Sequence, residues 1–405
     1  KGVRLSHAAM LWNACGVAKF ITPRSDDVFL SVLPLAHAFE RTVGYYLPML
    51  AGATVAYARS VELLREDFST VRPTAFVSVP RLYERIHAAI RDPAAHGWIV
   101  RRLVDIAARA GWQHFEWKQG RASRPSVFIQ IARIVLNQLL TKRVLGVFGG
   151  RLRVAASGGA ALPRDVSQFL IGLGLPLVEG YGLTEAAPVV TATALTDNFP
   201  GSVGRPLEGC EIRLSDEGEL LVRSPGLMQG YWNDPQRTAA AFDANGFLKT
   251  GDIAEIRDGR VFIRGRLKQI IVLSTGENIN PEPIEAAIQR DPLVQNACVI
   301  GDGKPFAIAV IVLHQGPWQR LAEDLNVDPS VPNLPVVKAE LMKRISSRLE
   351  DFPKPAQIGG IHLVLDSWTV QNGRLTPTLK VKRRAIEADY LGEIRALYAG
   401  HAHFE

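Results

Sequence analysis

Cysteine is scarce in this sequence of 405 residues. Its three cysteines, Cys15, Cys210 and Cys298, lie far apart and match no metal-ligand spacing. An odd number of widely separated cysteines argues against a disulfide framework and against a zinc module. The sequence therefore favours a reducing compartment, and we interpret the chain as cytoplasmic.

Long apolar runs are missing too. No stretch of the sequence approaches the roughly 18 consecutive apolar residues that a spanning helix needs, so any membrane contact would be peripheral, at the inner face of the membrane. The sequence also has no internal repeat and no low-complexity segment, which excludes solenoids and propellers.

Acidic residues are in deficit. Asp and Glu number 40 against 47 Lys and Arg, which gives a formal net charge of +7. A basic balance suits nucleic acid, an anionic membrane surface or polyanionic small molecules, and it does not choose among them.

The first two thirds of the sequence show a regular alternation. Short apolar runs that end in Pro, Gly or small residues predict buried strands, and residues 6–20 carry apolar side chains at helical spacing. The predicted strands are DVFLSVLP, ATVAYA, TAFVSVP, LRVAASGG and LPLVEGYG. This alternation predicts a largely parallel α/β sheet, whose ligands bind beyond the carboxyl ends of its strands.

Beyond about residue 200 the pattern changes. CEIRLSDEGELLVRS and AEIRDGRVFIRGR place Glu-Gly or Asp-Gly between alternating apolar runs, which predicts antiparallel hairpins. Predicted strands IIVLS, NACVI, FAIAVIVL and IHLVL then alternate with helices over 281–289 and 338–349. We place a boundary within 266–269, which gives a large domain, 1–267, and a small α+β domain, 268–405.

The segment EGYGLTEAAP follows a predicted buried strand, so its polar side chains should emerge together at the ligand end of the sheet. The ring of Tyr181 suits stacking on a purine, the hydroxyl of Thr184 suits a phosphate oxygen, and the carboxylate of Glu185 suits Mg²⁺. The alternative is a plain strand exit with an exposed acid.

Three further stretches are consistent with a nucleotide site. The SGGAAL backbone could lie flat against a planar ring, or form an ordinary turn. Asp252 in KTGDIAEI could accept two ribose hydroxyls, or be a turn aspartate. RGRLKQII places Arg264, Arg266 and Lys268 at the domain boundary, where a solvated linker is the alternative.

The ordered set of motifs carries a family resemblance. The motifs are LPLAHAFER, SGGAAL, EGYGLTE, GELLVRSPGLMQGYW, TGD, GRLKQIIVLSTGENINP and LTPTLKVKRR. In this order and at these spacings the chain resembles the adenylate-forming acyl-CoA synthetases, and more narrowly the long-chain fatty acid CoA ligases. The resemblance implies a large domain of mostly parallel sheets with a β-rich subdomain, and a small, mobile C-terminal domain.

The resemblance also implies substrates and a site. The substrates are a long-chain fatty acid, ATP with Mg²⁺, and coenzyme A, which react through an acyl-adenylate to acyl-CoA, AMP and pyrophosphate. The implied ATP and AMP site comprises Lys1, Gly158, Gly159, Ala160, Glu179, Gly180, Tyr181, Gly182, Thr184, Asp252, Arg266 and Lys380. Thr184 and Glu185 are the implied metal ligands, and Lys380, Glu185, Thr184 and His37 the implied catalytic residues.

The small domain is implied to serve both half-reactions. Lys380 matches the catalytic lysine of adenylation, whereas its neighbours Lys382, Arg383 and Arg384 are interpreted as a solvated basic face. Lys268 matches a hinge, and the loop with Gly276, Glu277 and Asn278 is implied to replace Lys380 when coenzyme A reacts. His37 matches a position that lines the acyl or pantetheine route, with a packed core histidine as the alternative.

The start of the chain is part of the same resemblance. Lys1 and Gly2 resemble the last residues of the family's Ser, Thr and Gly-rich phosphate loop, so we expect the chain to lack an N-terminal portion and to activate acids poorly.

Residues 98–148 interleave tryptophan with arginine and lysine, which predicts either a membrane-facing surface or a helical pair packed through Ile99, Leu103 and Ile106. We do not interpret this segment as a nucleic-acid patch.

Two other functions stay open. An adenylating enzyme could pass its acyl group to the thiol of a carrier protein instead of coenzyme A. Alternatively, an inactive, truncated chain could bind an acyl group or a nucleotide without turning it over.

Overall fold

The computed structural model describes residues 2–60, 63–91, 97–136, 142–376 and 381–399. The chain divides into two compact units, Lys1–Arg264 and Gly265–Glu405. The division falls close to the boundary expected after residue 267, and the assignment of separate functions to the two domains stays a prediction.

A mostly parallel sheet dominates the first unit. Its strands are β2 (Val28–Ser31), β3 (Thr54–Tyr57), β4 (Ala75–Ser78), β5 (Val154–Ser157), β6 (Leu177–Gly182), β7 (Val189–Ala192) and β8 (Arg205–Pro206), and β1 (Val3–Arg4) precedes them outside this sheet. The order across the sheet is β3-β2-β4-β5-β6-β7-β8. Neighbours from β3 to β6 run parallel, and the last two pairs run antiparallel. The five predicted strands and the predicted fold class are confirmed.

Helices cover both faces of this sheet. They are α1 (His7–Ile21), α2 (Leu47–Ala51), α3 (Leu64–Val71), α4 (Pro80–Arg91), α5 (Trp98–Lys118), α6 (Val127–Leu136), α7 (Lys142–Val147) and α8 (Arg164–Gly172), with a π-helix over Glu40–Tyr46 and a 3₁₀ helix over Thr184–Ala186. Alternate strand residues face opposite ways, so Leu30 and Phe76 pack with α3, α5 and α8, whereas Phe29 and Val77 pack with α1. Ser6 caps α1 because its hydroxyl accepts a hydrogen bond from the Ala9 amide at 3.0 Å.

A smaller β-rich layer completes the first unit. Its elements are β9 (Glu211–Leu214), β10 (Glu219–Arg223), β11 (Gly230–Tyr231), α9 (Pro235–Ala240), β12 (Leu248–Arg257) and β13 (Arg260–Arg266). Four of these strands form a sheet in the order β13-β12-β10-β9, and β11 pairs antiparallel with β1. Strands β9 and β10 form an antiparallel pair, and β12 neighbours β13, so both predicted hairpin segments form adjacent strands.

The second unit is a compact α+β fold. Its elements are a 3₁₀ helix (Leu267–Gln269), β14 (Ile271–Val272), β15 (Asn278–Ile279), α10 (Pro281–Ile288), β16 (Val294–Ile300), β17 (Ala307–Leu313), α11 (Gln315–Asp324), α12 (Pro335–Arg348), a 3₁₀ helix (Lys354–Ala356), β18 (Ile358–Val364), α13 (Arg383–Asp389) and α14 (Leu391–Ala399). Strand β17 lies between β16 and β18 and is buried along its whole length, which explains its unbroken apolar sequence. The helices predicted near 281–289 and 338–349 are confirmed.

The π-helix carries a buried acid. Glu40 is 0% exposed, and its carboxylate oxygens make no hydrogen bond of standard geometry in the described part of the chain, although the Ser31 hydroxyl is close enough to interact with them. Its side chain lies over Gly44, where a Cβ atom would come within 2.4 Å of Oε1. Burial raises the pKa of Glu40 to about 7, although the neighbouring Ser31 hydroxyl lowers it in part.

This pKa predicts a pH dependence of stability. The folded protein holds the Glu40 proton up to about pH 7, whereas the unfolded chain releases it near the ordinary value of 4.5. The stabilisation that comes with the bound proton is therefore lost as pH rises between these values, by at most about 3 kcal/mol. Glu40→Gln should flatten this slope in urea unfolding measured from about pH 5 to about pH 8. Equal slopes in both proteins would contradict the assignment.

Candidate nucleotide site

The carboxyl end of β6 leads into a tight turn. A Cβ atom at Gly182 would lie 1.9 Å from the carbonyl oxygen of Pro188, so only glycine permits β6 and β7 to approach so closely. The Leu183 amide donates to the same carbonyl at 2.8 Å. The turn that follows contains Thr184, which is exposed, and Glu185, which is half-buried. Both side chains therefore lie at the predicted edge of the sheet.

A residue that the sequence reasoning missed holds this turn. Asn13 of α1 is 0% exposed, and its side-chain amide donates to the carbonyl oxygens of Ala186 at 3.2 Å and Val189 at 2.7 Å. Its oxygen accepts from the Val189 amide at 3.1 Å. The signal was a lone amide on the buried face of an apolar helix, where a polar side chain needs a specific partner.

A second missed residue orients the candidate metal ligand. The hydroxyl of Tyr231 donates to Oε1 of Glu185 at 2.9 Å, while the Glu185 carbonyl accepts from the Met228 amide at 2.8 Å. Burial, and then the hydrogen bond to Glu185, raises the pKa of Tyr231 to about 12, so the hydroxyl stays a donor at neutral pH. Tyr231 belongs to the GELLVRSPGLMQGYW motif, but the motif alone assigns it no task.

The donor set near the turn is compatible with Mg²⁺ that arrives with a nucleotide. The described residues contain no group of three or more His, Cys, Asp or Glu side chains able to hold a metal. Mg²⁺ commonly binds through one or two carboxylates together with substrate phosphates and water. Glu185 and the adjacent hydroxyl of Thr184 can provide such a partial set.

Two predicted nucleotide ligands meet directly. The hydroxyl of Tyr181 at the end of β6 donates to Oδ2 of Asp252 at 2.6 Å. Asp252 is 5% exposed and follows Gly251, whose φ of +74° is in the left-handed region and whose amide donates to Glu219 Oε1 at 2.7 Å. The folded chain thus brings together two residues 71 positions apart.

The SGG segment lies beside the LPLAHAFER segment. A Cβ atom at Gly158 would lie 2.8 Å from the Phe39 ring, so this glycine lets backbone and ring approach closely. Gly159 has a φ of +81°, and Ala160 is exposed. His37 is exposed as well, which excludes the alternative of a packed core histidine.

The remaining β6 residues have structural surroundings. The carboxylate of Glu179 is buried against the Ser167 hydroxyl and the Gly201 amide, and burial raises its pKa to about 8. Gly180 pairs with Ala192 across the β6–β7 ladder. The Glu179 backbone is paired as well: its amide donates to Thr193 Oγ1 at 2.8 Å, and its carbonyl accepts from the Thr193 amide at 2.8 Å.

The other candidates lie at the two ends of the chain and around the boundary between the units. Gly276, Glu277 and Asn278 form the exposed tip of the β14–β15 hairpin, with Gly276 at a φ of +84°. Arg266 is exposed at the end of β13. Lys268 has its backbone in the 3₁₀ helix and its side chain outside the description, and Lys1 and Lys380 lie outside the described residues.

One interpretation of the basic cluster is wrong. Arg383 does not belong to a solvated face: its side chain is 18% exposed, pairs with Glu285 and donates to the Val299 carbonyl at 2.9 Å. A buried carboxylate such as that of Glu285 needs a cationic partner, and the Arg383 guanidinium supplies it. The two residues are 98 positions apart, so no local sequence pattern indicates that they pair. Lys382 is exposed, as predicted.

Comparisons with known proteins identify the family of this chain. The family model described as AMP-binding enzyme matches residues 1–232, and the model described as AMP-binding enzyme C-terminal domain matches residues 268–402. Long-chain-fatty-acid–CoA ligase FadD15 of Mycobacterium bovis is 31% identical over 98% of this chain and 64% of its own length. The putative fatty-acid–CoA ligase fadD11 of Mycobacterium tuberculosis is 31% identical over 98% of this chain and 71% of its own length.

Another relative is named for a different acyl acceptor. Long-chain-fatty-acid–[acyl-carrier-protein] ligase AEE15 of Arabidopsis thaliana is 29% identical over 98% of this chain and 60% of its own length. The chain thus spans less than two thirds of the length of FadD15 and AEE15.

Solved structures share the fold. ATP-bound MatB from Rhodopseudomonas palustris has a TM-score of 0.65 and 22% identity, covering 96% of this chain and 65% of MatB. The A domain of the carboxylic acid reductase from Segniliparus rugosus, in complex with AMP and a carboxylic acid, has a TM-score of 0.68 and 23% identity, covering 97% and 58%. Since the family model covers more than half of the sequence and relatives match it nearly end to end, the chain belongs to the AMP-binding enzyme family.

Proposed function

We propose that the protein activates long-chain fatty acids with ATP and transfers them to coenzyme A. The observation that supports this most directly is the meeting of Tyr181 and Asp252 at the same strand end that presents Thr184 and Glu185. The names of FadD15 and fadD11 favour a fatty acid as the substrate. We place the activity in the cytoplasm, with peripheral contact to the inner face of the membrane.

The residues of the first unit would bind and orient the nucleotide. In this proposal the purine lies against Tyr181 and the backbone of Gly158 and Gly159, and the ribose hydroxyls donate to Asp252. The hydrogen bond from Tyr181 to Asp252 fixes the carboxylate before the ribose arrives, which lowers the ordering cost of binding. Mg²⁺ would neutralise phosphate charge when bound at Glu185 and Thr184.

The proposed chemistry has two steps. A carboxylate oxygen of the fatty acid forms a bond to the α-phosphorus of ATP, and the bond to pyrophosphate breaks, which leaves an acyl-adenylate. Charge on the phosphate oxygens grows in this transition state, and a cation placed there lowers the barrier. We assign that cation to Lys380. The thiol of coenzyme A then attacks the acyl carbon, loses its proton and displaces AMP.

The second step would need a rearrangement of the small domain. We assign the hinge to Lys268, and the loop that enters for thioester formation to Gly276, Glu277 and Asn278. These exposed hairpin residues with a left-handed glycine at the tip can approach a ligand without displacing packed side chains.

A carrier-protein thiol is the second candidate acceptor. The name of AEE15, a relative with 29% identity, supports this alternative. An inactive chain that only binds acyl groups or nucleotides is the third candidate.

The function is tested by exchange of labelled pyrophosphate into ATP in the presence of palmitate, followed by thioester formation with coenzyme A or with holo acyl carrier protein. We expect palmitate-dependent exchange and preference for coenzyme A. Nucleotide binding without exchange would leave only the binding function.

Lys380→Ala should impair the first step selectively. By analogy with a lost oxyanion donor, we expect a loss of about 3 kcal/mol, or about a hundredfold or more in the rate from ATP. Synthetic acyl-adenylate supplied with coenzyme A should bypass the defect. Lys382→Ala is the matched control, because that side chain is exposed, and it should change neither rate. A Lys380→Ala protein that is equally slow from both starting points would exclude the assigned role.

Asn13→Ala should slow adenylation beyond its effect on folding. Loss of three buried hydrogen bonds releases the Thr184–Ala186 turn and should cost about 2 kcal/mol of stability. We expect about a tenfold lower kcat for pyrophosphate exchange. The Glu185 carboxylate and the Thr184 hydroxyl would stabilise the transition state only when they are correctly positioned, and a released turn no longer positions them.

The matched control for this change is Asn198→Ala. Asn198 is 2% exposed and donates to the Leu177 carbonyl at 2.6 Å, at the opposite end of β6. The control should lose stability with kcat unchanged at a temperature where both variants stay folded. Equal kcat in the two variants would make Asn13 a purely structural residue.

A further inference from the structure

Helix α6 presents an uncovered apolar face. Its members lie at helical spacing along one side and carry no charge: Val127, Phe128, Ile131, Ile134 and Val135. Phe128 is 86% exposed, and the others are between 53% and 68% exposed. The opposite side packs inward through Leu136, so α6 is anchored to the first unit and directs these residues outward. Contiguous exposure of this kind marks an interaction site rather than ordinary surface.

Helix α5 extends this surface, because its packing on α8 fixes which side of the helix faces solvent. Its buried side packs on α8 at Gly111, where a Cβ atom would lie 1.8 Å from the carbonyl oxygen of Gly172. With that side fixed, the opposite side faces solvent, and it includes Trp98, Ile99, Leu103 and Ile106. The predicted helical pair forms, since α5 packs on α8 and on α6, but its packed side does not include Ile99, Leu103 and Ile106, which are 56%, 39% and 41% exposed.

The charge around this apolar surface is strongly positive. Between residues 97 and 136 the sequence has seven basic and two acidic residues. Both acids are already paired, Asp105 with Arg91 and Glu116 with Arg121. Among the basic residues, Arg102, Arg109, Lys118 and Arg124 are exposed. The guanidinium of Arg124 lies 5.9 Å above the Trp117 ring, which keeps a charge beside an aromatic side chain.

We propose that the exposed residues of α5 and α6, named here the α5–α6 face, dock this protein on an anionic lipid surface. Apolar side chains flanked by tryptophan and by arginine are what an interfacial helix uses to enter the acyl boundary while its cations meet lipid phosphates. The described residues contain no helix long and apolar enough to cross a bilayer. In this proposal α5 and α6 lie along the lipid surface.

The charge also decides between possible partners. A second copy of the chain would bring one positive α5–α6 face against another, and like charges at a desolvated contact oppose association. A nucleic acid would leave the five apolar residues of α6 without a partner. An anionic membrane satisfies both the apolar residues and the cations. Docking does not depend on the proposed activity, although it would place the protein where long-chain acids partition.

Vesicle sedimentation tests the proposal. We expect the protein to bind phosphatidylcholine vesicles that contain phosphatidylglycerol, to bind pure phosphatidylcholine weakly, and to dissociate as salt is raised. Phe128→Ser combined with Ile131→Ser should weaken the partition coefficient by about tenfold or more, because two exposed apolar anchors are lost. Arg102→Gln combined with Arg109→Gln should remove most of the preference for phosphatidylglycerol.

The matched control is Val331→Ser combined with Val336→Ser, two exposed apolar residues of the second unit. It should bind vesicles as the unchanged protein does. Equal binding by the Phe128 and Ile131 variant and the unchanged protein would overturn the proposal. A dimer in light scattering that this variant disrupts would instead assign the α5–α6 face to a second copy. Pyrophosphate exchange with a short, soluble acid should be equal in all variants, which separates failure of docking from failure of the activity.

Discussion

The contact between Asn13 and the turn after β6 is the constraint on which the candidate site depends. The buried side-chain amide of Asn13 hydrogen-bonds the Ala186 carbonyl and both the carbonyl and the amide of Val189. These backbone groups are therefore satisfied within the protein and do not need water as a partner. Thr42 of the π-helix adds a longer hydrogen bond to the Ala187 carbonyl at 3.4 Å. Thr184 and Glu185 are therefore held by two helices that the chain completes more than a hundred residues earlier.

Several buried polar side chains lie around the carboxyl ends of the parallel strands. Ser31, Ser78, Ser157 and Glu179 are all buried at or near the ends of their strands, and Glu40 lies next to Ser31. Burial favours the protonated form of both acids, with a pKa of about 7 for Glu40 and about 8 for Glu179. In the turn that follows β6, Glu185 is half-buried.

Local sequence patterns predicted most of the strands and helices because these elements follow from apolar periodicity and from turn residues. They also predicted that Tyr181, Thr184 and Glu185 share a strand end, since parallel strands place their carboxyl ends at one edge. Contacts made over long sequence distances were not predictable. Nothing near Asn13 or Tyr231 indicates its partner, and Arg383 was assigned to solvent because its partner Glu285 lies in a different local pattern.

The close approach of Gly111 and Gly172 has a consequence for the geometry of the first unit. Two glycines allow the α5 and α8 backbones to touch, and α8 ends only a few residues before β6 begins at Leu177. A backbone contact cannot slide or rotate as a contact between long side chains can. The contact therefore fixes helix α5 against helix α8, which leads within a few residues into strand β6. A lipid surface that binds α5 would therefore also constrain the orientation of the carboxyl end of β6, where the candidate site begins.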